Sequence, residues 1–125
     1  MTFLEITAVS LTGAAVYGTL EMLWRGWTHW SMLLAGAVCG CMMYWVANFS
    51  RLPLWQEWIL CAALITTVEF FSGVVLNLWL GWNIWDYSGM RINLLGQICP
   101  AFCLVWLGIS IPGVWLCRFL RVLVT

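Results

Sequence analysis

The chain is expected to be all-α: a polytopic membrane protein built as a four-helix transmembrane bundle with a kinked or interfacial C-terminal helical tail. Hydrophobic residues fill 64% of its 125 positions and charged residues only 8%, far below the roughly 25% charge of a soluble domain. The apolar residues fall into four runs, about 3–24, 31–49, 55–80 and 93–111, each close to the roughly 20 residues that a helix needs to cross a bilayer. Tryptophans collect at the ends of those runs, where an aromatic belt sits in the membrane interface.

The first run has no Lys or Arg before it and no small-residue cleavage pattern, so it reads as a first membrane helix rather than a cleaved signal. Its end, YGTLEMLWRGWTHW, spaces Tyr17, Glu21 and Arg25 four apart, with His29 continuing the stripe if the helix persists. Glu21 precedes Arg25 in the favourable order for an i, i+4 ion pair. In the second run, Gly36-x-x-x-Gly40 beside Ser31, Ala35 and Cys39 offers a flat face for close helix contact. Four short helices enclose little volume, so that contact is expected in a homo-oligomer.

The third run, WILCAALITTVEFFSGVVLNLW, carries Glu69 about halfway along, with Thr66, Ser72, Gly73 and Asn77 on its side of the helix. A carboxylate at mid-membrane is costly and turns toward a bundle interior, a partner or a water-filled path. In the fourth run Asn93 and Gln97 would stand one turn apart, and Pro100 would kink the helix. The tail 112–125 carries Arg118 and Arg121; it either finishes the fourth helix past Pro112 or lies along the interface. No linker or internal repeat divides the chain, which is expected to be one transmembrane domain over 1–125.

Trp24, Trp27 and Trp30 flank the first loop and Trp79, Trp82 and Trp85 the third, so those loops share a membrane face; Trp55 and Trp58 mark the other. Arg51, Arg118 and Arg121 against Arg25 and Arg91 give a slight bias toward cytoplasmic termini and leave a dual-topology dimer open. The polar loop GWNIWDYSGMRINLLGQ, 81–97, then meets the Glu21–Arg25 stripe, and Asp86, Arg91 and Asn93 close a vestibule leading to Glu69. Structural readings stand beside the functional ones. Glu21–Arg25 could be an interfacial pair, His29 an interfacial residue, Asp86 a cap, Asn93 and Gln97 interhelical glue, and Glu69 a neutral packing group.

Absences narrow the function. The basic residues are all arginine, so no Walker-A lysine exists and ATP hydrolysis by a P-loop mechanism is excluded; energy must come from an ion gradient or a separate membrane or energising subunit. Neither HExxH nor GxSxG occurs. Net charge is zero, which suggests no nucleic-acid partner. The six cysteines lie in apolar runs as small hydrophobes, with Cys99 and Cys103 as a less favoured thiolate metal pair; no metal or cofactor is expected.

The stretch VEFFSGVVLNLWLGWNIWDYSGMRINLLGQICPAFCLVWLGIS, Val68 to Ser110, resembles a family of small polytopic bacterial membrane proteins described as putative ABC-transporter type IV, related to a vertebrate family of small transmembrane proteins. The resemblance rests on Glu69, on Trp85, Asp86, Tyr87 and Ser88, on Asn93, Gly96, Gln97, Ile98 and Cys99, and on Trp106 with Gly108. It implies a membrane bundle, a transport role and a place in the bacterial cytoplasmic (inner) membrane. The function favoured is a transporter or channel whose polar path is formed by Glu69, Asp86, Glu21, Arg25, Asn93, Gln97 and Asn77, with Trp85, Tyr87 and Ser88 as a structural motif. A non-catalytic accessory subunit and an enzyme acting on a lipid or isoprenoid head group are the alternatives.

Overall fold

A computed structural model describes residues 1–125. The chain folds into four helices: α1, Phe3–Arg25; α2, Trp30–Phe49; α3, Leu54–Gly73; and α4, Pro100–Val124. A π-helical stretch, Val74–Trp79, extends α3 into a 26-residue span. All four are long and apolar enough to cross a membrane. The only strand-like pairing is an isolated bridge between Leu94 and Ile98.

Local chemistry sets the helix ends. Thr2 and Glu5 form a capping box at the start of α1, with the Glu5 amide donating to Thr2 Oγ1 at 3.1 Å. Gly26, at φ 76°, ends α1 in the left-handed conformation that glycine adopts without a Cβ penalty. The polar stripe of α1 therefore stops at Arg25. His29 does not continue it but caps α2, its Nδ1 accepting from the Ser31 amide at 3.2 Å.

The fourth helix departs from expectation at its start. Pro100 does not kink it but opens it, because a proline at N1 gives up only an amide that has no helical partner. It also holds Cys99 extended at φ −148°, ψ 154°, as a residue before proline prefers. Left-handed Leu95 and Gly96 finish the break, so 93–99 is loop and Asn93 and Gln97 are not one helical turn apart. At the other end α4 runs through Pro112 to Val124, so residues 112–125 finish the fourth helix.

The core gathers Val9, Tyr44, Val46, Cys61, Trp106 and Val114 from all four helices. Helices α1 and α2 approach closely through glycine. A Cβ on Gly36 would lie 2.7 Å from Tyr17 Cβ, and one on Gly13 would lie 2.5 Å from the Gly36 carbonyl oxygen. The small-residue face of α2 is thus used inside the chain, and an oligomer would need another surface. Leu11, Leu34, Leu104 and Val122 point outward, as suits helices solvated by lipid. Outer hydroxyls bond their own helix: Thr7, Thr19 and Thr67 donate to carbonyls four residues back at 2.8 Å.

Candidate functional site: an aromatic cleft ending at Glu69

Twenty residues separate the end of the α3 span from α4, and their backbone would be costly in hydrocarbon unless satisfied internally. Side chains satisfy much of it. Asn93 Nδ2 donates to the Met90 carbonyl at 3.1 Å and its Oδ1 accepts from the Gly96 amide at 2.9 Å. Asp86 Oδ1 accepts from the Ser88 amide at 2.8 Å, and this bond holds its carboxyl below the ordinary aspartate range. The Tyr87 amide donates to the Gly96 carbonyl at 2.7 Å.

Two further bonds seat this loop on the end of α3, and a third braces the loop internally. Asn77 Nδ2 donates to Gln97 Oε1 at 2.9 Å, Asn77 Oδ1 accepts from the Ile84 amide at 2.7 Å, and Trp85 Nε1 donates to the Gln97 carbonyl at 3.0 Å. The π-helical turns alter the side-chain register of α3 just where Asn77 meets the loop. Arg25 ties the loop to α1 by donating to the Ile84 carbonyl at 2.7 Å. The first and third loops do share a face.

Held in this way, the loop sends Tyr87 between the helices to Glu69. Tyr87 Oη donates to Glu69 Oε2 at 3.3 Å and Trp106 Nε1 donates to Oε1 at 3.4 Å. Only 8% of Glu69 is exposed, and no basic side chain pairs with it. A cleft of about 220 Å³ reaches it, walled by Tyr17, Trp24, Trp85, Tyr87, Phe102 and Trp106 and bordered by Glu21 and Arg25. Arg25 is already committed: its Nε lies 2.7 Å from Glu21 Oε2 and its guanidinium 3.9 Å above the Trp27 ring. A second cavity of about 120 Å³ continues from Glu69, Tyr17 and Trp106 toward Val9, Met43 and Leu120, with mostly apolar walls.

Of the sequence-predicted residues, the structure brings Glu69, Glu21 and Arg25 to the cleft. Trp85 and Tyr87 join them as wall residues. Asp86, Ser88, Asn77, Asn93 and Gln97 lie off it and build or seat the loop. Asp86 and Arg91 are exposed on the loop's outer side. Cys103 Sγ accepts from Thr66 Oγ1 at 3.7 Å, and no group of three or more His, Cys, Asp or Glu comes together.

Sequence reasoning missed Trp24 and Phe102 as wall residues. It also missed a polar cluster at the termini face, where Arg118 meets Glu57 at 2.7 Å and Tyr44 Oη donates to Glu5 at 2.7 Å. The Thr2-x-x-Glu5 box was a local signal for the latter, whereas Glu57 and Arg118 lie far apart in the chain.

Four apolar spans, a loop folded back among them and a carboxylate buried at its tip define a polytopic integral membrane protein with an internal polar site. Residues 8–124 match the family described as putative ABC-transporter type IV, and the chain belongs to that family. No curated protein and no solved structure matches it.

Proposed function

We propose that this chain is a small membrane transport protein of the bacterial cytoplasmic membrane that passes an ion or small polar solute by way of Glu69. One observation carries the reading: a buried carboxylate without a basic partner stands where two cavities meet, one toward the loop face and one toward the termini. Structural carboxylates in membranes are usually paired, and one left beside open space is where a permeating solute finds its counter-charge. Glu21 and Arg25 form the charged rim, while Asp86, Asn77, Asn93 and Gln97 act on the path by holding the loop. The family's name supports transport at the level of class. Since the chain has no lysine with which to build a P-loop, its energy comes from a gradient or a separate subunit.

Flux from proteoliposomes loaded with mixed ions and small polar solutes, with native protein and Glu69→Gln compared, tests this. Native flux that the substitution reduces at least tenfold is expected. Equal flux from both takes Glu69 off the path; none from either overturns the transport reading in favour of an accessory subunit.

A further inference from the structure

The wall of the cleft is a continuous aromatic surface. Tyr87 and Phe102 stack with centroids 4.8 Å apart, Phe102 lies 6.2 Å from Trp106, Trp106 lies 6.3 Å from Tyr17, and Trp24 meets Phe102 edge-on at 6.1 Å. Carboxylate and aromatic faces attract the same partner, because both present negative potential. The one cation nearby does not fill that role, since Arg25 is ion-paired with Glu21 and turned to the Ile84 carbonyl, to which its Nη1 donates. Glu21 and Arg25 cancel, leaving the carboxylate of Glu69 as the uncompensated acidic group of the cleft.

We propose that the cleft binds a monovalent organic ammonium ion with an apolar body, its charge against Glu69 and its alkyl or aryl groups against Phe102, Trp106 and Tyr17. This deepens the transport reading and rests on it for any claim of movement. An inorganic cation would forfeit its hydration among aromatic walls and gain one carboxylate, whereas a quaternary ammonium sheds little water and gains the ring faces. Size agrees. An enclosed apolar cavity of about 150 Å³ holds benzene, so about 220 Å³ in this more open cleft has room for roughly nine or ten non-hydrogen atoms.

The test is equilibrium binding of trimethylphenylammonium to the full chain in phosphatidylglycerol nanodiscs, beside its neutral isostere tert-butylbenzene. The cation is expected to bind at least tenfold tighter than the isostere. Glu69→Gln is expected to weaken the cation at least tenfold and the isostere less than threefold. Phe102→Leu, which keeps bulk and the carboxylate, is expected to weaken the cation about fivefold, so the outcome does not hang on one variant folding. Equal affinity for the two probes, or no saturable cation binding, overturns the proposal. Repeating the titration with phosphatidylcholine added separates the two sources of such a group: competition assigns the site to a choline headgroup, and undiminished binding to a free cation, both within the proposed chemistry. Cation binding without flux refutes transport and keeps the site; flux of inorganic ions without cation binding does the reverse.

Discussion

Replacing Gly73 by alanine should unseat the loop that carries Tyr87 to Glu69. A Cβ there would overlap Gln97 Oε1 and come within 2.9 Å of Trp85 Cζ2 and 3.0 Å of Gln97 Cβ. Gln97 cannot simply swing away, because it is 2% exposed, its side chain is held by Asn77 and the Leu95 carbonyl, and its backbone carbonyl accepts from Trp85 Nε1. Losing the Asn77 and Trp85 bonds costs about 1 kcal/mol each, and a buried carboxamide oxygen left unpaired adds about 1–3 kcal/mol. Alanine in place of glycine returns about 1 kcal/mol of helix propensity. The net loss is about 2–4 kcal/mol, and interhelical bonds in bilayers tend to the weaker end. Even 2 kcal/mol raises the open population of the loop about 30-fold. Cys99, 2% exposed at the junction of loop and α4, reports that opening through maleimide modification read at its own peptide by mass spectrometry. A rise of about 30-fold or more is expected, and a rate within threefold of native would refute this account of how the loop is seated.

Arg118→Met should cost about 1–3 kcal/mol in unfolding from mixed micelles, with Glu57→Gln added to it recovering part of the loss. Glu57 is 2% exposed and would keep an unpaired carboxylate, while the half-exposed Arg118 holds the cost below that of a fully buried pair. Gly36→Leu should separate α1 from α2 and destabilise the chain by more than about 2 kcal/mol, since even a Cβ meets Tyr17 and the Gly13 carbonyl; unchanged unfolding would show that the helices are not in contact there. Asp86 has a lowered folded-state pKa, so its contribution to loop order is complete above the ordinary aspartate value and is lost only as pH falls through the lower folded one. Ser88 amide exchange, corrected for its intrinsic pH dependence, should stay protected at pH 5 and rise only below about pH 4, whereas an increase between pH 5 and 7 would contradict the Asx-turn assignment.

The four spans were legible because lipid demands long apolar runs and nothing else in the chain competes with them. Glu69 was legible for the complementary reason: a charge that lipid would reject marks an interior. The start of α4 was misread because Ile92, Leu94, Leu95 and Ile98 continue the apolar run, and hydropathy does not register that Pro100 restrains Cys99 to extended backbone. What made the loop possible was its supply of local acceptors, Asp86 and Asn93, which a hydropathy scale scores only as a penalty. The aromatic wall was harder still to see. Tyr17 and Trp24 lie on α1, Phe102 on α4 and Tyr87 in the loop, and they become one surface only when those three segments are packed together.

The two ends of the bundle are held by different kinds of contact. At the termini face, Glu5–Tyr44, Glu57–Arg118 and the Asn48 amide on the Cys117 carbonyl at 3.3 Å tie the four helices directly to one another. At the loop face Arg25 fixes the first helix to the third loop, and Gln97 fixes that loop to α3, so the helices are joined there through irregular chain. Interhelical contacts of this kind break only when helices part, whereas a loop can shift while each helix keeps its own hydrogen bonds. Motion that widens access to Glu69 is therefore least costly at the loop face, through the Gln97 and Tyr87 contacts. Widening the apolar cavity beyond Glu69 requires α1, α2, α3 and α4 to lose their polar clamps together. Any solute that crosses from Glu69 toward the termini face thus meets its larger structural barrier there, and relieving Glu57–Arg118 should speed passage in that direction more than loosening Gln97 does.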